Sequence, residues 1–167
     1  VNYLVRWPLT FNRIRKDKLS NTFGRFAERY SGAHWGWDFA APVGTPVYAV
    51  ADGEVSKVYG TGADKEGYGL VIEICFTYQG CYTYAAYCHM SKTIVSEKQP
   101  VKMGELIGYT GKSGNGYNLP PSEDHLHFEF RTLSRPSPGG HPYRFDPREI
   151  YNVCPINHTI IDTLGCD

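Results

Sequence analysis

The stretch HLHFEFR, residues 125–131, decides the fold, because polar and apolar side chains alternate along its whole length. Successive side chains on a β-strand point to opposite faces, so His125, His127 and Glu129 share one face. The opposite face carries Leu126, Phe128 and Phe130. We predict a strand whose apolar face lies in the core, while the two histidines and the glutamate look toward a groove.

Strand patterns recur through much of the chain. Residues 44–60 predict two strands that turn at Asp52-Gly53, and residues 68–90 predict a hairpin that turns at Tyr78-Gln79-Gly80. The helical signal is confined to one turn, residues 146–151, where an aspartate precedes a proline. Short strands at regular spacing favour a mainly β fold, an antiparallel β-sandwich or barrel-sandwich hybrid.

Two long loops lie between these strands. One is GTGADKEGYG, residues 60–69, and the other is GKSGNGYNLPPSED, residues 111–124, which leads directly into His125. Long loops in a compact domain are usually functional or mobile. We therefore expect them to border the groove.

The length and composition of the chain limit the classes of function. The chain has 167 residues, which predicts one domain over residues 1–167. Lys plus Arg and Asp plus Glu are 17 each, and this balance argues against nucleic-acid binding through phosphate neutralisation. No apolar run reaches the length of a transmembrane helix, and no leader peptide is recognisable before the start VNYLVRWPLT, so we expect a mature or excised chain. We also expect a monomer.

Five cysteines suggest disulfides rather than a metal knuckle, because no C-x-x-C spacing occurs. Cys75 and Cys81 lie on opposite arms of the predicted hairpin, and Cys154 and Cys166 close a short loop near the end of the chain. We predict at least one disulfide, with Cys88 left over, and hence an oxidising compartment.

A second histidine motif, HWGWD, spans residues 34–38. Histidine and aspartate both bind zinc. On a straight strand four residues span about 13 Å, too far for one ion to contact both His34 and Asp38. The chain must therefore bend if they share an ion, and Gly36 permits a bend. Taken alone, the pair also fits a solvated histidine and a turn aspartate.

The histidine motifs HWGWD, YCHMS and H-x-H are more informative together than singly. His34, Asp38 and one histidine of H-x-H would supply three protein ligands, which with a water is the arrangement of a catalytic zinc site. The other histidine of the pair, and His89 in YCHMS, would lie beside the metal as proton carriers. His141 and His158 have no partner nearby in the sequence, and we assign both to the surface or to packing.

At these residues the chain resembles the lysostaphin-type (LytM-like) zinc endopeptidases. HWGWDFAAPVGTPVYAVADGEV resembles their first signature, YCHMS resembles their second and HLHFEFR resembles their H-x-H motif, in family order over about residues 22–135. The resemblance implies that His34, Asp38 and His127 bind one Zn²⁺ ion per chain. It also implies that His125 and His89 are the catalytic histidines.

The family resemblance further implies a function and a location. It predicts a zinc metalloendopeptidase that uses a zinc-activated water to hydrolyse stem or cross-bridge peptides of bacterial peptidoglycan. Such an enzyme would be secreted, or lie in the periplasm or cell envelope. Tyr30 is a candidate for the tyrosine that the family often places near the site, and the groove-lining candidates are Trp35, Trp37, Tyr59, Tyr68 and Tyr117.

Two features depart from the family pattern. The approach to H-x-H is the acidic LPPSED, residues 119–124, in place of a short Gly-Pro step, which affects the groove wall rather than the metal. The cysteine-bearing tail, residues 136–167, has no counterpart. Two alternatives stay open: a non-cleaving peptidoglycan-binding or regulatory module on the same fold, and a structural zinc protein. All five motif positions are filled here, which disfavours the first.

Overall fold

The computed structural model describes residues 5–15, 17–26, 32–136 and 142–165. The strands within these ranges are β1 Phe11–Asn12, β2 Gly24–Arg25, β3 Ala33–His34, β4 Trp37–Ala40, β5 Pro46–Tyr48, β6 Gly53–Tyr59, β7 Leu70–Tyr78, β8 Cys81–Thr93, β9 Pro100–Val101, β10 Leu106–Thr110, β11 His125–Arg131, β12 Arg144–Phe145 and β13 Ile160–Ile161. One short α-helix, α1, spans Arg148–Tyr151, and 3₁₀ turns span Leu19–Asn21, Gly114–Gly116 and Pro121–Glu123.

Nine of these strands form one antiparallel sheet. Its main order is β12-β11-β8-β7-β6-β9, β4 also pairs with β11, and β10 joins β5 to β8. Two small ribbons, β1-β13 and β2-β3, complete the strand pairing of the described residues. The prediction of a mainly β, antiparallel fold is confirmed. The barrel component of that prediction is not, since no sheet closes on itself in the described ranges.

The strand β11 lies at the centre of this arrangement and has the two faces that its sequence predicts. Its apolar residues, Leu126, Phe128 and Phe130, are completely buried in the core. Its first half pairs with β4 on one side and its second half with β12, while β8 runs along the other side. Within the sheet, His127 therefore lies between Asp38 on β4 and Cys88 on β8.

The β7–β8 hairpin forms as predicted but does not support the predicted disulfide. Gln79 (φ 49°) and Gly80 (φ 79°) form a tight turn with two left-handed residues, which matches the twist of the strands. The resulting register pairs Cys81 with Tyr78 and Cys75 with Tyr84. Three positions along a strand are roughly 10 Å, beyond the reach of a disulfide.

The cysteines of the described region are free thiols. Cys75, Cys81, Cys88 and Cys154 are all unbridged, so the prediction of a Cys75–Cys81 disulfide is wrong. Cys166, the predicted partner of Cys154, lies outside the described residues. No helix in the described part of the chain is long and apolar enough to cross a membrane.

Substitution of Phe130 tests the contribution of the β11 core face. Phe130 is completely buried and packs against Phe76, Phe128 and Phe145. Phe130→Ala should lower the free energy of unfolding by about 3–5 kcal/mol, because apolar contacts are lost and a cavity remains. Phe11→Ala is the matched control, since Phe11 is 63% exposed and should cost less than about 0.5 kcal/mol. Equal losses in urea unfolding would contradict this account of the core.

Candidate metal centre

Three donor atoms from the two predicted motifs converge in the structure. His34 Nε2 lies 3.1 Å from Asp38 Oδ1 and 3.1 Å from His127 Nδ1, and the last two atoms are 2.8 Å apart. All three side chains are buried. They form a group that is compact enough to hold a metal ion. Their assignment as ligands stays a prediction.

Strand register brings these atoms together. His127 on β11 lies directly opposite Asp38 on β4, and His34 ends β3, with two residues between it and the start of β4 at Trp37. Gly36 lies between the strands, and a Cβ atom there would come within 2.5 Å of the Phe128 carbonyl oxygen. Glycine is therefore required because the backbones approach closely. Its φ is outside the left-handed region, so the expected bend needs no conformation unique to glycine.

The outer nitrogen of each imidazole has an acceptor partner. His34 Nδ1 is 2.9 Å from the Thr22 carbonyl oxygen, and His127 Nε2 is 2.9 Å from Glu129 Oε1. Since these oxygens only accept, we assign the ring protons to the outer nitrogens. His34 Nε2 and His127 Nδ1 then face the Asp38 carboxylate, and each offers a lone pair to a cation once it carries no proton. Three electron-rich donors that face one another fit a cation, and two nitrogens with one oxygen are a set that zinc accepts.

The electrostatics of the cluster also favour positive charge. Burial raises the pKa of Asp38, but the charges of His34 and His125 and hydrogen bonds from the histidines outweigh burial and hold this pKa well below its usual range. Burial lowers the pKa of His127, but its hydrogen bonds to Asp38 and Glu129 raise it to about 9. The space between the donors therefore attracts a proton or a metal cation.

The other two motif histidines lie beside this cluster. The ring centroids of His89 and His125 are 5.2 Å apart in an edge-to-face arrangement. His125 Nε2 is 3.7 Å from Asp38 Oδ1. The Nδ1 atoms are held by carbonyl oxygens, that of His125 by Glu123 at 2.9 Å and that of His89 by Ser113 at 2.7 Å. Both rings therefore keep a lone pair on Nε2.

His89 is neutral and sits on an unusual backbone. Burial lowers its pKa, and His127 and His125 lower it further, to about 3. Its φ is 60°, in the left-handed region, next to an irregularity in the pairing of β7 with β8. Bulges of this kind re-aim side chains near functional sites, at a small cost in backbone strain.

The hydrogen bonds of Glu129 were not predicted from the sequence. This residue is completely buried, and its Oε2 atom accepts hydrogen bonds from Arg131 Nε at 2.8 Å and Arg144 Nε at 2.9 Å. Its Oε1 atom accepts from His127 and from the Tyr68 hydroxyl. The alternation of β11 already placed Glu129 on the histidine face, but the contacts depend on strands distant in sequence.

The aromatic residues that were predicted to line the groove lie in different parts of the structure. Trp37 is only 1% exposed and stacks on Trp7 and Tyr151 in the core, so its prediction as a groove residue is wrong. Tyr59 and Tyr68 line a cavity of about 570 Å³ whose lining includes none of the five motif residues. Neither Tyr30 nor His141 belongs to the described residues.

With fold and cluster in place, comparison with known proteins defines the class. Residues 32–139 match Peptidase family M23, and the chain belongs to this family. The predicted resemblance to lysostaphin-type enzymes is thereby confirmed. The matched segment ends at residue 139, so it leaves out most of the cysteine-bearing tail.

Particular relatives are endopeptidases. The chain is 37% identical over 103 residues to peptidoglycan DD-endopeptidase ShyA of Vibrio cholerae, covering 62% of this chain and 21% of that protein. It is also 37% identical over 103 residues to glycyl-glycine endopeptidase ALE-1 of Staphylococcus capitis, covering 62% of this chain and 26% of that protein. The catalytic domain of lysostaphin from Staphylococcus simulans superimposes with a TM-score of 0.60 at 26% identity, covering 80% of this chain and 90% of that one. The chain thus spans about a fifth to a quarter of the curated relatives' length.

Substitution of Gly36 tests whether close packing of β4 on β11 assembles the cluster. Gly36→Ala should displace the segment from His34 to Asp38, since the new Cβ would clash with the fixed Phe128 carbonyl. We expect zinc affinity to fall at least tenfold in a chelator competition assay. In Gly116→Ala, the matched control, the nearest atom to the new Cβ lies at 3.9 Å, and zinc affinity should be unchanged. Equal affinities for both variants would contradict the packing argument.

Proposed function

We propose that this chain is a zinc-dependent endopeptidase that hydrolyses peptide bonds in bacterial peptidoglycan. The convergence of His34, Asp38 and His127, with His125 and His89 alongside, is the observation that carries the proposal. Family membership and the endopeptidase names of relatives support the same reaction class.

The metal assignment follows from the donor set. His34 Nε2, Asp38 Oδ1 and His127 Nδ1 would hold one Zn²⁺ ion, and three protein donors leave a position open for water or substrate. When bound, zinc lowers the pKa of a water molecule and polarises the carbonyl of the bond to be cut.

The two flanking histidines have distinct environments and therefore distinct roles. His125 Nε2 lies 3.7 Å from Asp38 Oδ1, at the edge of the donor cluster, and its Nδ1 is held by the Glu123 carbonyl oxygen. We assign proton transfer from the nucleophile to the leaving amine to His125. Burial, together with His127 and His125, lowers the pKa of His89 to about 3, so its ring stays neutral. Its Nε2 lone pair can then accept a hydrogen bond from one of the reacting groups and orient that group.

Family membership supports the proposed substrate and location, which the site alone does not define. ShyA is named a peptidoglycan DD-endopeptidase and ALE-1 a glycyl-glycine endopeptidase, so both names indicate hydrolysis of a peptide bond and the named bonds differ. We propose that this chain works as one lysostaphin-like, monomeric peptidase domain outside the cytoplasm. Mass spectrometry of products from glycine-bridged and directly cross-linked walls assigns the bond.

Metal removal separates the enzyme from a binding module. Purified protein should release muropeptides from sacculi, and a zinc chelator should stop the release until zinc is restored. His34→Ala should lower the release at least about 100-fold, because loss of a ligand costs more than loss of an outer hydrogen bond. His158→Ala, at an exposed histidine, should match the unmodified protein. Zinc-bound protein that releases nothing from any wall type would favour the non-cleaving module.

Substitution of His125 separates catalysis from a structural zinc role. His125→Ala should lower kcat by about 10²–10⁴-fold while zinc content and melting temperature stay unchanged, since the ring lies outside the three-donor cluster. Zinc content is measured by metal analysis, and kcat on a defined wall peptide. Normal cleavage by this variant would show that His125 is not the proton carrier.

A further inference from the structure

The buried carboxylate of Glu129 contacts the metal cluster from outside and is saturated with hydrogen bonds. One oxygen, Oε1, accepts from His127 Nε2 at 2.9 Å and from the Tyr68 hydroxyl. The other, Oε2, accepts from Arg131 Nε and Arg144 Nε. The residue is 0% exposed, so these four donors replace all of its hydration.

We propose that Glu129 is a positioning residue that sets the affinity of the site for a divalent cation by fixing the proton and the orientation of His127. This inference rests on the proposed metal site. It adds Glu129, which lies outside the three donors, and the two arginines that keep its carboxylate ionised and able to accept a hydrogen bond.

The ring of His127 is restrained from three directions. Its Nδ1 atom is 2.8 Å from Asp38, its Nε2 atom is 2.9 Å from Glu129, and the ring of Tyr68 stacks on it with centroids 5.1 Å apart and planes inclined by 24°. A half-turn of the ring about its Cβ–Cγ bond would put a ring carbon in the place of each nitrogen and break both contacts. The arrangement therefore presents Nδ1, rather than Nε2, to the cluster.

Arg131 and Arg144 determine which side donates the hydrogen bond between Glu129 and His127. The ionised Glu129 carboxylate only accepts, so His127 Nε2 carries a proton, and a metal ion in the cluster would replace any proton that Nδ1 shares with Asp38. Arg131 and Arg144 each donate Nε–H to the far oxygen of Glu129, which compensates the buried negative charge. An amide at this position would turn its NH₂ group either toward two guanidinium groups or toward His127. The second choice would move the ring proton to Nδ1 and block the metal position.

A second buried carboxylate provides an internal comparison. Glu73 is also 0% exposed and is also paired with Arg131, at 2.9 Å. Its other hydrogen bonds run to Ser56, Ser134 and the backbone N–H of Arg135. Glu73 thus shares the burial and the ion pair of Glu129 but not the contact with His127, so the two carboxylates separate positioning from plain stability.

The test compares Glu129→Gln with Glu73→Gln in the full chain. Zinc affinity is measured by competition with a chromophoric chelator, and stability by thermal unfolding of the metal-free proteins. Glu129→Gln should weaken zinc binding by about 10–100-fold. Glu73→Gln should lower the melting temperature and leave zinc affinity within about threefold of the unmodified protein. Equal affinities for the Glu129→Gln variant and the unmodified protein, or equal weakening in both variants, would overturn the proposal.

A measurement on the unmodified protein keeps the proposal falsifiable if a variant does not fold. Nitrogen-15 NMR of the zinc-loaded chain should show His127 protonated at Nε2 and not at Nδ1, with a slowly exchanging Nε2 proton. A proton on Nδ1 would overturn the positioning role. If the unmodified protein binds no zinc, the proposed function fails first and this inference fails with it, an outcome that differs from zinc binding that ignores Glu129.

Discussion

The pairing of β11 with β4 is the constraint on which the rest of the site depends. It places His127 directly opposite Asp38, so that a ring nitrogen and a carboxylate oxygen meet at 2.8 Å without help from any loop. Side chains alternate on a strand, and a slip of one residue would turn one partner to the opposite face. The apolar residues of β11 prevent such a slip, because it would expose Leu126 and Phe128 to the groove and bury the histidines in the core. Core packing and the geometry of the donor cluster are therefore fixed by the same register.

Next to this pair lies a group of buried charges that a stability argument alone does not explain. Glu129, Glu73, Arg131 and Arg144 are almost completely removed from water, and such groups often stabilise a protein no more than apolar side chains of similar size would. Their order along the sheet face gives a better reason. The chain of contacts runs from Glu73 through Arg131 to Glu129 and ends at the outer nitrogen of His127. With Glu129 as the positioning residue, orientation of one imidazole accounts for Glu129 and its two arginines, whereas Glu73 contacts Arg131 but not His127 and contributes to stability.

Local patterns in the sequence predicted those parts of the structure that depend on neighbouring residues. The two faces of β11 followed from alternation, and the β7–β8 turn followed from Gln79-Gly80. Features set by long-range pairing did not follow. Register along the hairpin separates Cys75 from Cys81, and stacking on the N-terminal segment draws Trp37 into the core. The left-handed backbone of His89 likewise needs the irregular pairing with β7, which no residue type at that position signals.

The site divides into a part held by strands and a part held by loops. The three clustered donors come from β3, β4 and β11, whereas His125 and His89 are oriented by carbonyl oxygens of Glu123 and Ser113, both in the loop of residues 111–124. The unusual LPPSED approach includes the 3₁₀ turn Pro121–Glu123, whose last carbonyl holds the His125 ring. Changes in this loop can therefore alter how a substrate meets the His125 ring while the three clustered donors stay in place. A fold organised in this way can keep one metal chemistry and vary the bond that it cuts, which agrees with the different bonds named for its relatives.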